Sequence, residues 1–96
     1  MTSVTIVVPA YNEGLAFGAD LVCLAEQFSF YGCYDVQYII VDDGSRDETS
    51  IIARTFARYR KSAQVVTHDQ NYGLGQALRT GFDRATGEYT VVIDAD

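Results

Sequence analysis

The chain has 96 residues, 48% of them apolar, and 13 acidic against 7 basic side chains give a formal net charge of −6. This length allows one modest domain, and the acidic balance excludes a general nucleic-acid binder, which needs a basic face. No apolar run approaches the ~20 residues of a membrane span, and the start reads without a secretory leader, having no basic segment and a short apolar run broken by Pro9. Two cysteines, Cys23 and Cys33, make no disulfide framework or metal knuckle. They suit a reducing compartment, with Cys23 expected as a small buried hydrophobe.

In chain order, Val4 to Val8 is a β-branched run stopped by Pro9, which predicts a strand buried on both faces. Residues 13 to 28 place Phe17, Leu21, Leu24, Ala25 and Phe28 on one helical stripe, with Asn12 as the candidate cap. Phe30 to Asp35 reads as a loop, and Val36 to Val41 as a second strand. Ser45-Arg46-Asp47-Glu48 has the spacing of a capping box ahead of a helix with Ile52, Thr55, Phe56 and Tyr59 on one face. Arg54, Arg58, Arg60 and Lys61 then read as a solvated helix end, where cations are favoured. Gln64 to Thr67 predicts a short third strand. Leu74, Ala77, Leu78, Gly81, Phe82 and Ala85 form the cleanest stripe, with Gly81 marking a close approach to the sheet. Gly87 reads as a C-terminal stop, and residues 88 to 93 as the fourth strand.

The fold class is therefore α/β: a three-layer, Rossmann-like parallel sheet in the order β-α-β-α-β-α-β, with right-handed crossovers. In such sheets ligands bind beyond the carboxyl ends of the strands. That rule points to Pro9 to Glu13, Asp42 to Asp47 and Asp94 to Asp96, all rich in polar groups. In the first, Tyr11 offers a flat ring and Glu13 an acceptor for ribose hydroxyls. In the second, adjacent strand residues face opposite ways, so one aspartate of Asp42-Asp43 can face a ligand while the other holds the turn that Gly44 permits. In the third, carboxylates two apart after an apolar run share a side in extended backbone. Asp94 and Asp96 together suit a hard divalent cation, Mg²⁺ or Mn²⁺. His68, the single histidine, reads as structural or solvated rather than as a ligand. Asn71-Tyr72-Gly73-Leu74-Gly75 lacks the later glycine and strand context of a dinucleotide fingerprint and reads as a loop-to-helix transition.

Four blocks in order resemble the inverting nucleotide-sugar glycosyltransferases of GT-A fold, family 2 type. They are Val4-Thr5-Ile6-Val7-Val8-Pro9-Ala10-Tyr11-Asn12-Glu13, then Val41-Asp42-Asp43-Gly44-Ser45 with Asp47 and Thr49, then Asn71-x-Gly73 through Ala77-Leu78, Gly81 and Ala85 to Tyr89, and finally Asp94-Ala95-Asp96. The nearest likeness is to the dolichol-phosphate or polyprenyl-phosphate mannosyltransferase type. Gly14 stands where the family suggests an acidic residue, a position outside the site. The resemblance implies a nucleotide site of Pro9, Tyr11, Glu13, the Val41 backbone, Asp43, Asp94 and Ala95, with Asp42 as structural partner and Asp94 and Asp96 on the metal-diphosphate. It implies transfer with inversion from a UDP- or GDP-linked sugar to a lipid phosphate or glycan acceptor. It also implies a cytoplasmic setting, with membrane association of the parent protein. Because residues 1–96 stop at the metal motif, they are expected to be the nucleotide-sugar-binding half of a longer domain. A general base, where one is needed, lies beyond Asp96. The piece alone is expected to be inactive and to self-associate through its sheet edge.

Two rival readings stand beside this one. A non-catalytic nucleotide-binding module would bind without turnover. A receiver-type signalling domain also gathers aspartates around Mg²⁺, but it needs an aspartate ending its third strand and a later lysine. Here that strand ends at Thr67-His68, and the single lysine is Lys61.

Overall fold

The computed structural model describes residues 1–94, with the side chains of all but residues 30 and 31. The elements run β1 (Thr2–Ala10), α1 (Phe17–Tyr31), β2 (Tyr34–Asp42), α2 (Thr49–Arg58), β3 (Ala63–Thr67), α3 (Leu74–Arg84) and β4 (Tyr89–Val92). All strand pairs are parallel and the sheet order is β3-β2-β1-β4. The order of elements is the expected one. The bounds differ: β1 runs through Pro9, which does not stop it, to pair Ala10 with Asp42; β2 is longer than expected and β4 shorter; and α1 starts at Phe17 and runs to Tyr31, where Gly32 ends it in a left-handed conformation (φ 64°). The expected loop from Phe30 is accordingly shorter.

Alternation along β1 and β2 builds two cores. Val4, Ile6, Val8, Tyr38 and Ile40 pack with Phe17, Leu21 and Ala25 of α1 and Ala53 and Phe56 of α2. Val7, Ile39 and Val41 face Ala77 of α3 on the other side. Both faces of β1 and β2 are thus covered, which is why Ile6 to Val8 and Tyr38 to Val41 run apolar without alternation. Gly81 permits the α3 approach, since a Cβ there would lie 2.4 Å from Val7 Cγ1.

Several local expectations fail for tertiary reasons. On α2 the buried positions are Thr49, Ala53 and Phe56, while Tyr59 is 76% exposed. Tyr59 falls just past the end of the helix. Cys23 is exposed, on the outer side of α1, and Cys33 is exposed too; both are free thiols. Of the basic cluster, Arg54, Arg58 and Lys61 are exposed as read, while Arg60 is half-buried and stacks 4.1 Å over the Phe56 ring.

Gly87 is not the helix stop. The α3 helix ends at Arg84 with Ala85 already extended (φ −72°, ψ 132°). Gly87 lies against β1, its N–H donating to Thr5 Oγ1 at 2.9 Å. A Cβ there would stand 2.7 Å from the Thr5 nitrogen and 2.9 Å from the Val4 carbonyl carbon. Backbone cannot retreat as a side-chain tip can. Gly87→Ala should therefore cost about 1–3 kcal/mol in urea unfolding; a wild-type midpoint for this variant would contradict the close approach.

Candidate functional site

The loops that follow β1, β2 and β3 meet above the carboxyl edge of the sheet, and bonds between backbone and side chains join them. Asp42 faces the α1 and α2 side. Its Oδ1 accepts the Ser45 N–H at 3.0 Å, while Oδ2, fully buried, has no hydrogen-bond partner among the described residues. Ser45 Oγ in turn accepts the Asn12 N–H, and Asn12 Oδ1 accepts the Arg46 N–H, both at 2.9 Å. Glu13 N–H donates to Thr49 Oγ1, and Gly14 N–H to Asp47 Oδ2. Asn12 holds a left-handed φ of 48° within this lattice, a conformation asparagine tolerates better than most residues. The β1–α1 loop is thus laced to the β2–α2 loop.

This lacing corrects two expectations. Asn12 does not cap α1, which has no side-chain cap; its carboxamide is used across the loops. Ser45 and Glu48 form no capping box either. Asp47 Oδ1 takes the Thr49 N–H at 2.9 Å and the Thr49 hydroxyl.

Asp43 faces the other way, toward α3, and is 3% exposed. Its Oδ1 holds His68 Nδ1 at 2.8 Å and the Tyr72 N–H at 2.9 Å. Its Oδ2 holds Asn71 Nδ2 at 3.0 Å and the Gly73 N–H at 2.8 Å. Gly44 completes this junction: with φ 76°, it passes so near the β3–α3 loop that a Cβ would lie 2.3 Å from the Gln70 carbonyl carbon. Burial pushes the Asp43 carboxyl up, but the bonds from His68, Tyr72 and Gly73 outweigh burial and hold it below the ordinary carboxylate range. Asp47 is also held low, by the Thr49 hydroxyl and amide and the Gly14 N–H.

Between these loops opens a cavity of about 390 Å³, a size suited to a small ligand. Pro9, Ala10, Tyr11 and Glu13 line it from β1 and its loop, Asp43 from β2, and Asp94 from the end of β4. Asn71, Gly73, Leu74 and Ala77 form the remaining wall. The cavity lies where strand order reverses, β2 joining one side of β1 and β4 the other. The topological rule places ligands at such a crevice. Tyr11 is 44% exposed, with its ring available; a Glu13 oxygen accepts the Tyr11 N–H at 3.1 Å.

Of the residues expected in the site, Pro9, Tyr11, Glu13, Asp43 and Asp94 come together. Val41 does not line the cavity; it is fully buried and packs with Val7, Ile39 and Ala77. Ala95 and Asp96 lie outside the described residues. Sequence reasoning from local pattern missed the wall built by Asn71 and Gly73 and the anchoring of His68. The Asn-x-Gly spacing was the available signal. Asp94 presents a hard oxygen donor at this opening, of the kind a divalent cation takes, whereas both Asp43 oxygens are already engaged. Among the described residues, no group of three or more His, Cys, Asp or Glu side chains is placed to hold a metal ion.

The model of glycosyl transferase family 2 matches residues 5–96. The undecaprenyl-phosphate 4-deoxy-4-formamido-L-arabinose transferase of Pseudomonas fluorescens is 34% identical over 94 residues, which is 97% of this chain and 27% of that protein. The mannosyltransferase PcManGT from Pyrobaculum calidifontis, solved in complex with GDP-Man and Mn²⁺, matches with TM-score 0.83 and 32% identity over 97% of this chain and 27% of its own. S. aureus TarS 1-349 in complex with UDP-GlcNAc matches with TM-score 0.81 and 26% identity over 100% of this chain and 27% of its own. The chain therefore spans 27% of the length of each of these relatives. The parallel sheet with alternating helices is shared with these solved neighbours, and the expected α/β fold class holds.

A depressed carboxylate contributes stability that is fully present above its unfolded pKa of about 4 and is lost as pH falls through the folded value. Asp43 and Asp47 both have that sign. Urea unfolding from about pH 7 to about pH 3 should therefore show stability dropping below about pH 4. Asp47→Asn should make that drop shallower, and Asp43→Asn should lower the neutral-pH stability by about 3 kcal/mol. An unchanged acid limb in Asp47→Asn would contradict the bonding described.

Proposed function

The chain belongs to glycosyl transferase family 2, and on that premise we propose that its cavity binds the nucleoside diphosphate of a sugar donor for an inverting glycosyl transfer. The observation that carries this reading is the convergence of Pro9, Tyr11, Glu13, Asp43 and Asp94 on one opening at the strand-order reversal. The Tyr11 ring supplies a face for the base. Glu13 and the fixed charge of Asp43 border the ribose. Asp94, with Asp96, holds the metal ion, Mg²⁺ or Mn²⁺, at the diphosphate. When bound, that ion neutralises charge developing on the leaving group. It is also what lets a diphosphate approach an opening lined by carboxylates, since like charges a few ångströms apart repel strongly.

In the transfer itself, an acceptor oxygen forms a bond to the anomeric carbon as the bond to the diphosphate oxygen breaks from the opposite face, and the nucleoside diphosphate leaves. A polyprenyl phosphate acceptor is already ionised and needs no base; a hydroxyl acceptor needs a general base. Support for the lipid acceptor comes from the undecaprenyl-phosphate transferase relative. Support for nucleotide-sugar donors and Mn²⁺ comes from the GDP-Man and UDP-GlcNAc complexes of the solved neighbours. The reading carries a cytoplasmic placement, with the parent protein at a membrane where a lipid phosphate is met. For residues 1–96 alone it carries nucleotide binding without turnover.

Calorimetric titration with UDP, GDP, uridine and guanosine tests the reading. UDP or GDP should bind only with Mg²⁺ or Mn²⁺ present. Asp94→Asn should weaken the diphosphate by about tenfold or more, the loss of a charge-assisted contact, and leave the nucleoside nearly unchanged. Equal losses for nucleoside and nucleotide would count against a metal role for Asp94, and binding of neither class would sink the proposal.

A further inference from the structure

The Asn71 and Gly73 wall of the cavity is attached to the sheet through Asp43, and Asp43 is itself held from behind. We infer that His68 and Thr80 are positioning residues of this cavity, setting the wall through Asp43; the inference rests on the nucleotide-site reading above. His68 Nδ1 lies 2.8 Å from Asp43 Oδ1. A carboxylate only accepts, so Nδ1 carries the hydrogen. The other ring nitrogen, Nε2, lies 2.8 Å from Thr80 Oγ1. Thr80 belongs to α3 and sits about one turn beyond Ala77, which with Leu74 brings α3 to the cavity wall. One imidazole thus joins the end of β2 to the flank of α3 with both nitrogens engaged.

The Tyr72 ring meets the imidazole edge-on, 5.4 Å between centroids and 79° between planes. The His68 side chain is only 11% exposed. Neither His68 nor Thr80 lines the cavity, so their effect on a ligand is indirect, through Asp43 and the loop and helix that carry the wall. The terminal torsion of an aspartate is broad and easily turned. With Oδ1 fixed by the ring, Oδ2 is aimed at Asn71 Nδ2 and the Gly73 N–H. Releasing the ring leaves Asp43 with three of its four donors, all from the wall loop itself, so the wall loses its tie to α3.

Two substitutions at one position separate hydrogen bonding from packing. Thr80→Val keeps the shape and removes the hydroxyl; Thr80→Ser keeps the hydroxyl and removes a methyl. The full chain would be titrated with UDP and with GDP in the presence of Mn²⁺. Thr80→Val and His68→Ala should each lose about tenfold in affinity, and Thr80→Ser less than about twofold. Without ligand, amide exchange at Tyr72 and Gly73 should speed up by about tenfold in Thr80→Val while β1 and β2 amides keep their protection. Wild-type affinity and wild-type exchange in Thr80→Val and His68→Ala would overturn the inference. So would a Thr80→Ser variant as weak as Thr80→Val, which would assign Thr80 to packing. A wild-type chain that binds neither nucleotide would overturn the functional reading, and with it the link to a ligand. The exchange rates at Tyr72 and Gly73 would then still decide whether the tie orders the loop.

Discussion

Strand geometry sends neighbouring side chains to opposite faces, and at the end of β2 this puts two carboxylates back to back. Asp42 reaches into the α1 and α2 layer and Asp43 into the α3 layer. The loops around the cavity are hung from these two side chains. Asp42 orders the Ser45 turn, and through Ser45 and Asn12 the β1–α1 loop. Asp43 orders the β3–α3 loop with four donors on its two oxygens. A buried carboxylate is costly without partners. Asp43 has them in full; Asp42 has one oxygen engaged and one buried without a partner among the described residues.

This arrangement explains how a short chain can carry a defined opening. Loops of this kind are ordinarily mobile. Here their amides are terminated on side chains of neighbouring loops: Asn12 on Ser45, Glu13 on Thr49, Gly14 on Asp47, and Tyr72 and Gly73 on Asp43. The parallel sheet below is buried on both faces at β1 and β2, so the strand ends themselves are fixed. Cavity shape then follows from strand register and a few charge-assisted bonds, which are stronger than neutral ones.

Much of this was legible in the sequence because period and order are local signals. The apolar runs marked the strands, the stripes marked the helices, and the crossover rule brought Pro9 to Glu13, Asp43 and Asp94 to one edge. What was not legible depends on pairing between distant loops. Asn12 and Ser45 carry the residue types of helix caps, yet each spends its side chain on the other's loop. Gly87 has the look of a helix stop, but its role is set by contact with Val4 and Thr5. Cys23 has the composition of a core residue and the helical phase of a surface one. His68, alone in the sequence, becomes structural only because Asp43 and Thr80 flank it in space. Val41 carries the opposite lesson: adjacency to Asp42 and Asp43 in sequence left it in the core, since its side chain shares the α3-facing layer with Val7 and Ile39.

The central claim is that a metal-bound nucleotide sits at the carboxyl edge of the sheet between β1 and β4. Backbone amide spectra recorded with UDP or GDP, first with Mg²⁺ and then with traces of paramagnetic Mn²⁺, test it most directly. The account predicts line broadening centred on Tyr11, Glu13, Gly73 and Asp94 that requires the nucleotide. Broadening centred on the opposite edge, at Asp35, Gln37 and Ser62, or broadening indifferent to the nucleotide, would contradict it.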